Sequence, residues 1–269
     1  MRELDDNLFE RAQACLMITD PVIKVSKTKA LQADWLDGKL TTSNRTEVKN
    51  VPVPGRPLRP EMVDPRNVPR RNFNSLAGRL TLTLAIAHIE VNAINLALDA
   101  VYRFQHMPEQ YYMDWCRVAA EEAEHYSLLS AYLEDNGSFY GKFPAHNGLW
   151  DMAVKTSDDV LVRMALVPRV LEARGLDVTP SMIAKLKVVG DDRLVNILEI
   201  IFSDEIGHVK IGSDWFSYLC KQRQLEPRET FIQLIDDYMQ GASFGPFEES
   251  ARLQAGFTRE ELHSLMSHF

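Results

Sequence analysis

Cysteine is scarce: Cys15, Cys116 and Cys220 are the only three in 269 residues, and they are widely scattered. Their number is odd and no Cys-x-x-Cys pair occurs, so neither a disulfide framework nor a thiolate zinc site is indicated, and a reducing compartment is expected. A run of 18 or more apolar residues, as a membrane helix needs, is not evident either. The opening stretch MRELDDNLFERAQ is too charged for a signal peptide, so the expected location is the cytoplasm, away from membranes. No glycine-rich nucleotide-binding motif occurs, and no β-hairpin signal stands out. Positive charge is in the minority: 30 Lys and Arg against 38 Asp and Glu leave a formal net charge of −8. That balance argues against a generally polyanion-binding surface.

What is present is a 45% hydrophobic chain, enough to bury a sizeable core. Residues 5 to 38 read as one or two helices, with Leu8, Ala12, Cys15 and Leu16 on one face and a turn at Asp37-Gly38. From 39 to 73 six prolines (Pro52, Pro54, Pro57, Pro60, Pro65, Pro69) each fix φ and remove a donor, which predicts an extended, irregular arm. Arg56, Arg59, Arg66, Arg70 and Arg71 make this arm the most basic stretch. Four long helical patterns follow, over about 75–104, 109–135, 149–174 (interrupted at Pro168, ended at Gly175) and 191–221. A short helix near 180–188 and tail helices near 227–240 and 258–267 complete the pattern, the last opened by the capping-box sequence TREE. The fold class is therefore all-α. Its expected domains are an N-terminal helical segment and arm over 1–73, a four-helix bundle over 74–222 and a C-terminal helical extension over 223–269.

Polar residues interrupt the apolar seams of these helices at regular places. The second carries Trp115, Val118, Glu122, His125, Leu129 and Tyr132 on one stripe, and the fourth carries Leu198, Ile201, Glu205, His208, Gly212 and Trp215. Glu-x-x-His puts both side chains one above the other on a single helix face, close enough to share an ion. The first and third helices add one seam acid each, Glu90 and Glu172. Glu90 to Glu122 spans 32 residues and Glu172 to Glu205 spans 33, which points to an internal duplication of a helical hairpin. Four neighbouring buried carboxylates without compensation cost several kcal/mol per ion. Two divalent cations cancel them, and the oxygen and imidazole donors suit iron or manganese, with zinc compatible. His88, two residues before Glu90, faces another way. Tyr111, Tyr112, Trp115 and Tyr126 read as core aromatics, although an oxidising centre can use such residues as relays.

The chain resembles the ferritin-like di-iron carboxylate superfamily, in which two helices each supply a Glu and two others each supply Glu-x-x-His. Within that superfamily it is similar to an uncharacterised bacterial family marked by RPLRPEMVDPRNVPRRN, SLAGRLTLTLAIAHIEVNAINLALDAVYRF and MALVPRVLEARGLDVTP, over most of residues 50 to 240. The resemblance implies that Glu90 and Glu172 are single-carboxylate ligands, that Glu122 and Glu205 bridge or share the metals, and that His125 and His208 each cap one ion. It implies two iron ions, with manganese or a mixed Fe/Mn pair fitting the same donors, and chemistry with oxygen or peroxide. The resulting expectation is an oxygen-activating oxidoreductase of hydroxylase or oxidase type, acting on a small molecule or a modified nucleoside, fed by a separate reductase and compatible with a homodimer. The competing readings are an iron-handling or peroxide-removing protein without an organic substrate, and a structural or RNA-associated scaffold. The arginine arm fits a structural wrap best. A clamp for an anionic substrate and an RNA-contacting strip are the other readings, and the RNA strip is weakened because only Phe73 lies near for base stacking.

Overall fold

The computed structural model describes residues 6–43, 45–69, 72–239 and 245–268. Among them all regular structure is helical, with two isolated β-bridges, Asn7 to Thr41 and Met62 to Ala145, in place of any sheet. The chain divides into two compact units, residues 1–154 and 155–269.

In the first unit, α1 (Leu8–Leu16) and α2 (Pro21–Leu36) are separate helices. Each start is chemically specified. Asn7 Oδ1 accepts from the backbone N–H groups of Phe9 and Glu10, and Asp20 Oδ1 accepts from those of Val22 and Ile23, with Pro21 at the first helical position. Then come α3 (Leu76–Arg103) and α4 (Glu109–Asp135), which pack closely against each other. Ser75 Oγ caps α3 by accepting from Gly78 N at 3.1 Å. At 28 residues, α3 is long and apolar enough to cross a membrane by length and composition, which corrects the reading that no stretch approaches that threshold. In the fold, 89% of its most apolar stretch is buried, so it serves as a core helix.

The proline-rich segment has one regular turn, the 3₁₀ turn Pro65–Asn67, and lies against the first unit. Gly55 N donates to Leu16 O at 3.0 Å, and a Cβ on Gly55 would sit 2.3 Å from the Met17 carbonyl carbon, so only glycine lets the arm pass this close to the end of α1. Val51 O accepts from Trp150 Nε1, Lys49 N donates to Tyr102 Oη, and Arg56 Nη1 donates to Asn147 Oδ1. Arg66 points to solvent at 93% exposure, and Arg70 and Arg71 lie outside the described residues. A short helix α5 (Gly148–Lys155) closes this unit.

The second unit corrects the expected third helix. A break at 156–159 precedes α6 (Val160–Leu166), which runs on into a π-helix, Val167–Glu172, and then into α7 (Ala173–Val189). Pro168 explains the π-helix, because its ring would strike the carbonyl four residues back in an α-helix and it has no N–H to donate. Gly175 does not end the helix, and Pro180 lies inside α7. The stop comes at Gly190, φ +73°, which leads into α8 (Asp192–Gln222), packed along α7. Helices α9 (Pro227–Tyr238), α10 (Glu249–Gln254) and α11 (Arg259–His268) follow. The capping box is formed as expected: Glu261 N donates to Thr258 Oγ1 at 3.0 Å while Thr258 N donates to Glu261 Oε2 at 2.8 Å. Each unit thus holds one closely packed long-helix pair, the element from which a ferritin-like bundle is made.

Candidate metal centre

The first unit gathers three expected ligands. Glu90 sits in the middle of α3, and Glu122 and His125 lie one turn apart on α4. All three are buried, at 2%, 1% and 0% exposure, and each turns a ligand atom to within 4.8 Å of the others. His125 Nδ1 lies 3.3 Å from Glu122 Oε2 and 3.5 Å from Glu90 Oε2. One turn away along the same helix faces, Ala87, Ile94, Val118 and Leu129 are also buried. The close α3–α4 packing and the seam periodicity leave these polar groups nowhere else to point.

The electrostatics follow from that burial. Loss of water around Glu90, together with the Glu122 carboxylate beside it, pushes the Glu90 carboxyl well above its ordinary range. Burial pulls His125 down, but the Glu122 and Glu90 carboxylates beside it outweigh burial and hold the imidazole up to about 11. Near neutral pH His125 therefore carries a proton and Glu90 is biased toward its protonated form, where ligands for a cation would have to be free of protons. Glu90 Oε2 is buried and makes no hydrogen bond. A buried acceptor of this kind is normally satisfied. Two carboxylates and an imidazole that exchange protons for a divalent ion fit a metal site, and the oxygen and nitrogen donors suit iron or manganese.

In the second unit Glu205 and His208 share one face of α8, with His208 Nδ1 3.9 Å from Glu205 Oε1. His208 is buried and the Glu205 side chain is 13% exposed. Glu172 ends the π-helix and is half-buried. Gly212, one turn beyond His208, is the point of closest approach, since a Cβ there would stand 2.3 Å from Pro168 Cγ. The small residue thus serves tight packing.

Other candidates resolve into packing. His88 turns away from Glu90: Nδ1 is 2.9 Å from Tyr140 Oη and Nε2 is 3.1 Å from His146 O. Burial holds this imidazole down at about 4, so it is neutral. Tyr111, Tyr112 and Trp115 form an edge-to-face cluster that reaches Phe9. Tyr126 meets the ring of Tyr140 edge-on at 5.4 Å. Glu124 pairs with Lys29 at the surface. The three cysteines are buried and free. Sequence reasoning missed Arg169, wholly buried in the π-helix one turn before Glu172. An arginine inside the apolar run MALVPRVL was the available signal.

Comparison with known proteins is consistent with this description. An uncharacterized protein of Haemophilus influenzae (strain ATCC 51907 / DSM 11121 / KW20 / Rd) is 47% identical over 213 residues, 77% of this chain and 74% of the relative. No solved structure matches the chain. Residues 17–263 match the family described as "Protein of unknown function (DUF455)", and with nearly the whole chain covered, this protein belongs to that family.

Proposed function

We propose that this protein is a non-haem di-iron oxidoreductase that uses molecular oxygen to oxidise an organic substrate, as a hydroxylase or oxidase. The observation that supports it most directly is the dry convergence of Glu90, Glu122 and His125, with a carboxylate oxygen of Glu90 that makes no hydrogen bond. In this reading Glu90, Glu122, His125, Glu172, Glu205 and His208 hold one pair of iron ions, and a manganese or mixed pair fits the same donors. When bound, such a pair supplies redox equivalents toward oxygen.

The chain's own residues do the rest. His125 gives up the proton it holds in the metal-free state, and Glu90, biased toward protonation by burial, is held as a carboxylate, so loading is coupled to proton release. Ala87, Ile94, Val118 and Leu129 exclude water from the ligands, which strengthens each electrostatic contact there. His208 and Glu205, one turn apart on α8, present a second nitrogen–oxygen pair of the same chemistry. With no glycine-rich nucleotide motif in the chain, electrons are supplied by a separate reductase.

Anaerobic titration with ferrous iron, followed by oxygen, tests this reading. Two irons per chain, oxygen consumption and a Mössbauer signature of a coupled pair are the expected results. A chain that takes up no ferrous iron, or only one ion, would end the proposal.

A further inference from the structure

In the second unit Arg169 is a buried charge outside the candidate ligand set. This guanidinium is buried, stacked against Phe216, Phe231 and Phe257 with its carbon 4.7, 4.2 and 4.6 Å from their ring centres. Its Nη2 donates to Glu261 Oε1 at 2.6 Å, while Nε and Nη1 make no hydrogen bond. Loss of water lowers its affinity for its proton. A buried ion pair of this kind is rarely better for stability than an apolar side chain of the same volume, and its best-attested use is to fix a register.

The register at stake is that of the π-helix on α8. Pro168 rests on Gly212 and Arg169 on Phe216. Along α8, Glu205, His208, Gly212 and Phe216 follow at intervals of three and four, so one face of the helix carries the metal-type residues and then the contacts of the π-helix. The short turn at Gly190 folds α8 back along α7, so with Pro168 opposite Gly212 this antiparallel register brings Glu172 to the level of His208. The C-terminal segment grips the same chain again beyond Glu172. Arg252 makes a two-pronged pair with Asp177 of α7, 2.8 Å on each side, and shares the Phe257 ring with Arg169. Glu172 therefore lies between two buried anchors, Arg169 before it and Asp177 after it, both held from α10, α11 and the loop that joins them.

We propose that the Arg169–Glu261 ion pair, in its cage of three phenylalanines, is a positioning device that fixes the register of the π-helix and thereby sets Glu172 for metal binding. It rests on the di-metal reading above. The capping box gives Glu261 both tasks: Oε2 closes the start of α11 and Oε1 holds Arg169. Pro168 fixes where the helix widens, but the residues after it can still relax toward ordinary α spacing, which would rotate Glu172. A charge anchored one turn before Glu172 removes that freedom.

Cobalt(II), added to the full chain without other metals, is the probe, read by its visible absorption and by bound metal per chain. Glu261→Gln keeps a capping-box acceptor, and Arg169→Met fills the cage without charge. The expected result is that both variants keep the far-UV circular dichroism of the parent, bind one of the two cobalt ions at least tenfold more weakly and show an altered cobalt spectrum. Backbone amides over 167–176 should also exchange faster in deuterated water. The double variant R169M/E261Q separates positioning from burial. With no unpaired charge it should regain thermal stability, yet its cobalt spectrum should stay altered. Should either single variant fail to fold, Gly212→Ala, which presses on Pro168 at the other contact, should perturb the same cobalt spectrum. Two cobalt ions bound with parental affinity and spectrum in E261Q, or full recovery of the spectrum in the double variant, would overturn the positioning role alone. A parent chain that binds no cobalt or iron would remove the metal reading, and this role with it.

Discussion

The two helix pairs that carry the candidate ligands differ in how they hold their polar groups. In the first, α3 and α4 are unbroken over 28 and 27 residues, and Glu90, Glu122 and His125 are buried, with His125 already within 3.3 to 3.5 Å of the two carboxylates. In the second, the chain opposite α8 widens into a π-helix at Pro168, Glu205 keeps 13% exposure, and the Glu205–His208 separation is 3.9 Å. The first pair is preorganised by proton-sharing among its own ligands. The second depends on anchors outside the ligand set, on Gly212, Arg169 and Glu261. π-Helical segments gather at functional sites, and the one in the second unit makes its helix pair the more adjustable of the two.

The harshest test of that difference removes one carboxylate from each side. Glu122→Ala takes a partner from a fully buried imidazole, so the metal-free protein should lose about 3 kcal/mol in denaturant unfolding, the scale of breaking a buried pair. Glu205→Ala, at a partly exposed carboxylate, should change metal-free stability by less than about 1 kcal/mol. Both should lose two-metal stoichiometry in ferrous titration. Equal destabilisation by the two changes would erase the contrast between the halves, and retained stoichiometry would show that the acids are misassigned.

Next in size is the π-helix itself. Pro168→Ala restores an N–H and removes the ring that prevents ordinary helical spacing, so the segment should tighten and rotate Glu172 by about one residue's turn. Weaker binding of one ion by at least about tenfold, or about 1.4 kcal/mol, is expected in isothermal titration, with the other ion unaffected. An equal loss at both ions would mean that the two halves do not act separately.

Protonation supplies a milder probe. Glu90 and His125 both have folded-state values raised above their ordinary 4.5 and 6.5, His125 to about 11. A raised value means that the folded metal-free state holds more protons than the unfolded state. This stabilisation is complete below the ordinary values and is lost as pH climbs through the folded ones. In the proposed metal-loaded state those protons are displaced and the slope is abolished. The gap between metal-loaded and metal-free melting temperatures should therefore widen from pH 6 to pH 9. A constant gap would show that metal does not meet these two groups.

Much of this contrast was legible in the sequence, and what was not has a physical reason. The bounds of α4 and the extent of α8 follow from seam periodicity and from stop signals such as Asn136-Gly137. The Ser75 cap and the TREE capping box are local chemistry, and both form. The π-helix could not be read from periodicity, because Pro168 marks a disruption without saying whether the chain kinks, stops or widens. Gly175 reads as a stop in the sequence, but a glycine can also continue a helix that tertiary packing holds, and here α7 stays packed on α8. Arg169 escaped notice because its partner Glu261 is 92 residues away and only the fold brings them together.

The smallest effect is expected beside the first ligand set, at His88. This histidine lies two residues before Glu90 on α3, yet its ring bonds Tyr140 Oη at 2.9 Å and the His146 carbonyl at 3.1 Å. Two residues on a helix are about 200° apart, so a side chain at 88 and one at 90 face nearly opposite sides. Tyr140→Phe removes one buried hydrogen bond and should lower stability by about 1 kcal/mol. Metal stoichiometry and affinity should not change. If iron binding weakens in that variant, the tyrosine–histidine pair reaches the ligands through Glu90's own helix, and the first half is less self-contained than its contacts imply.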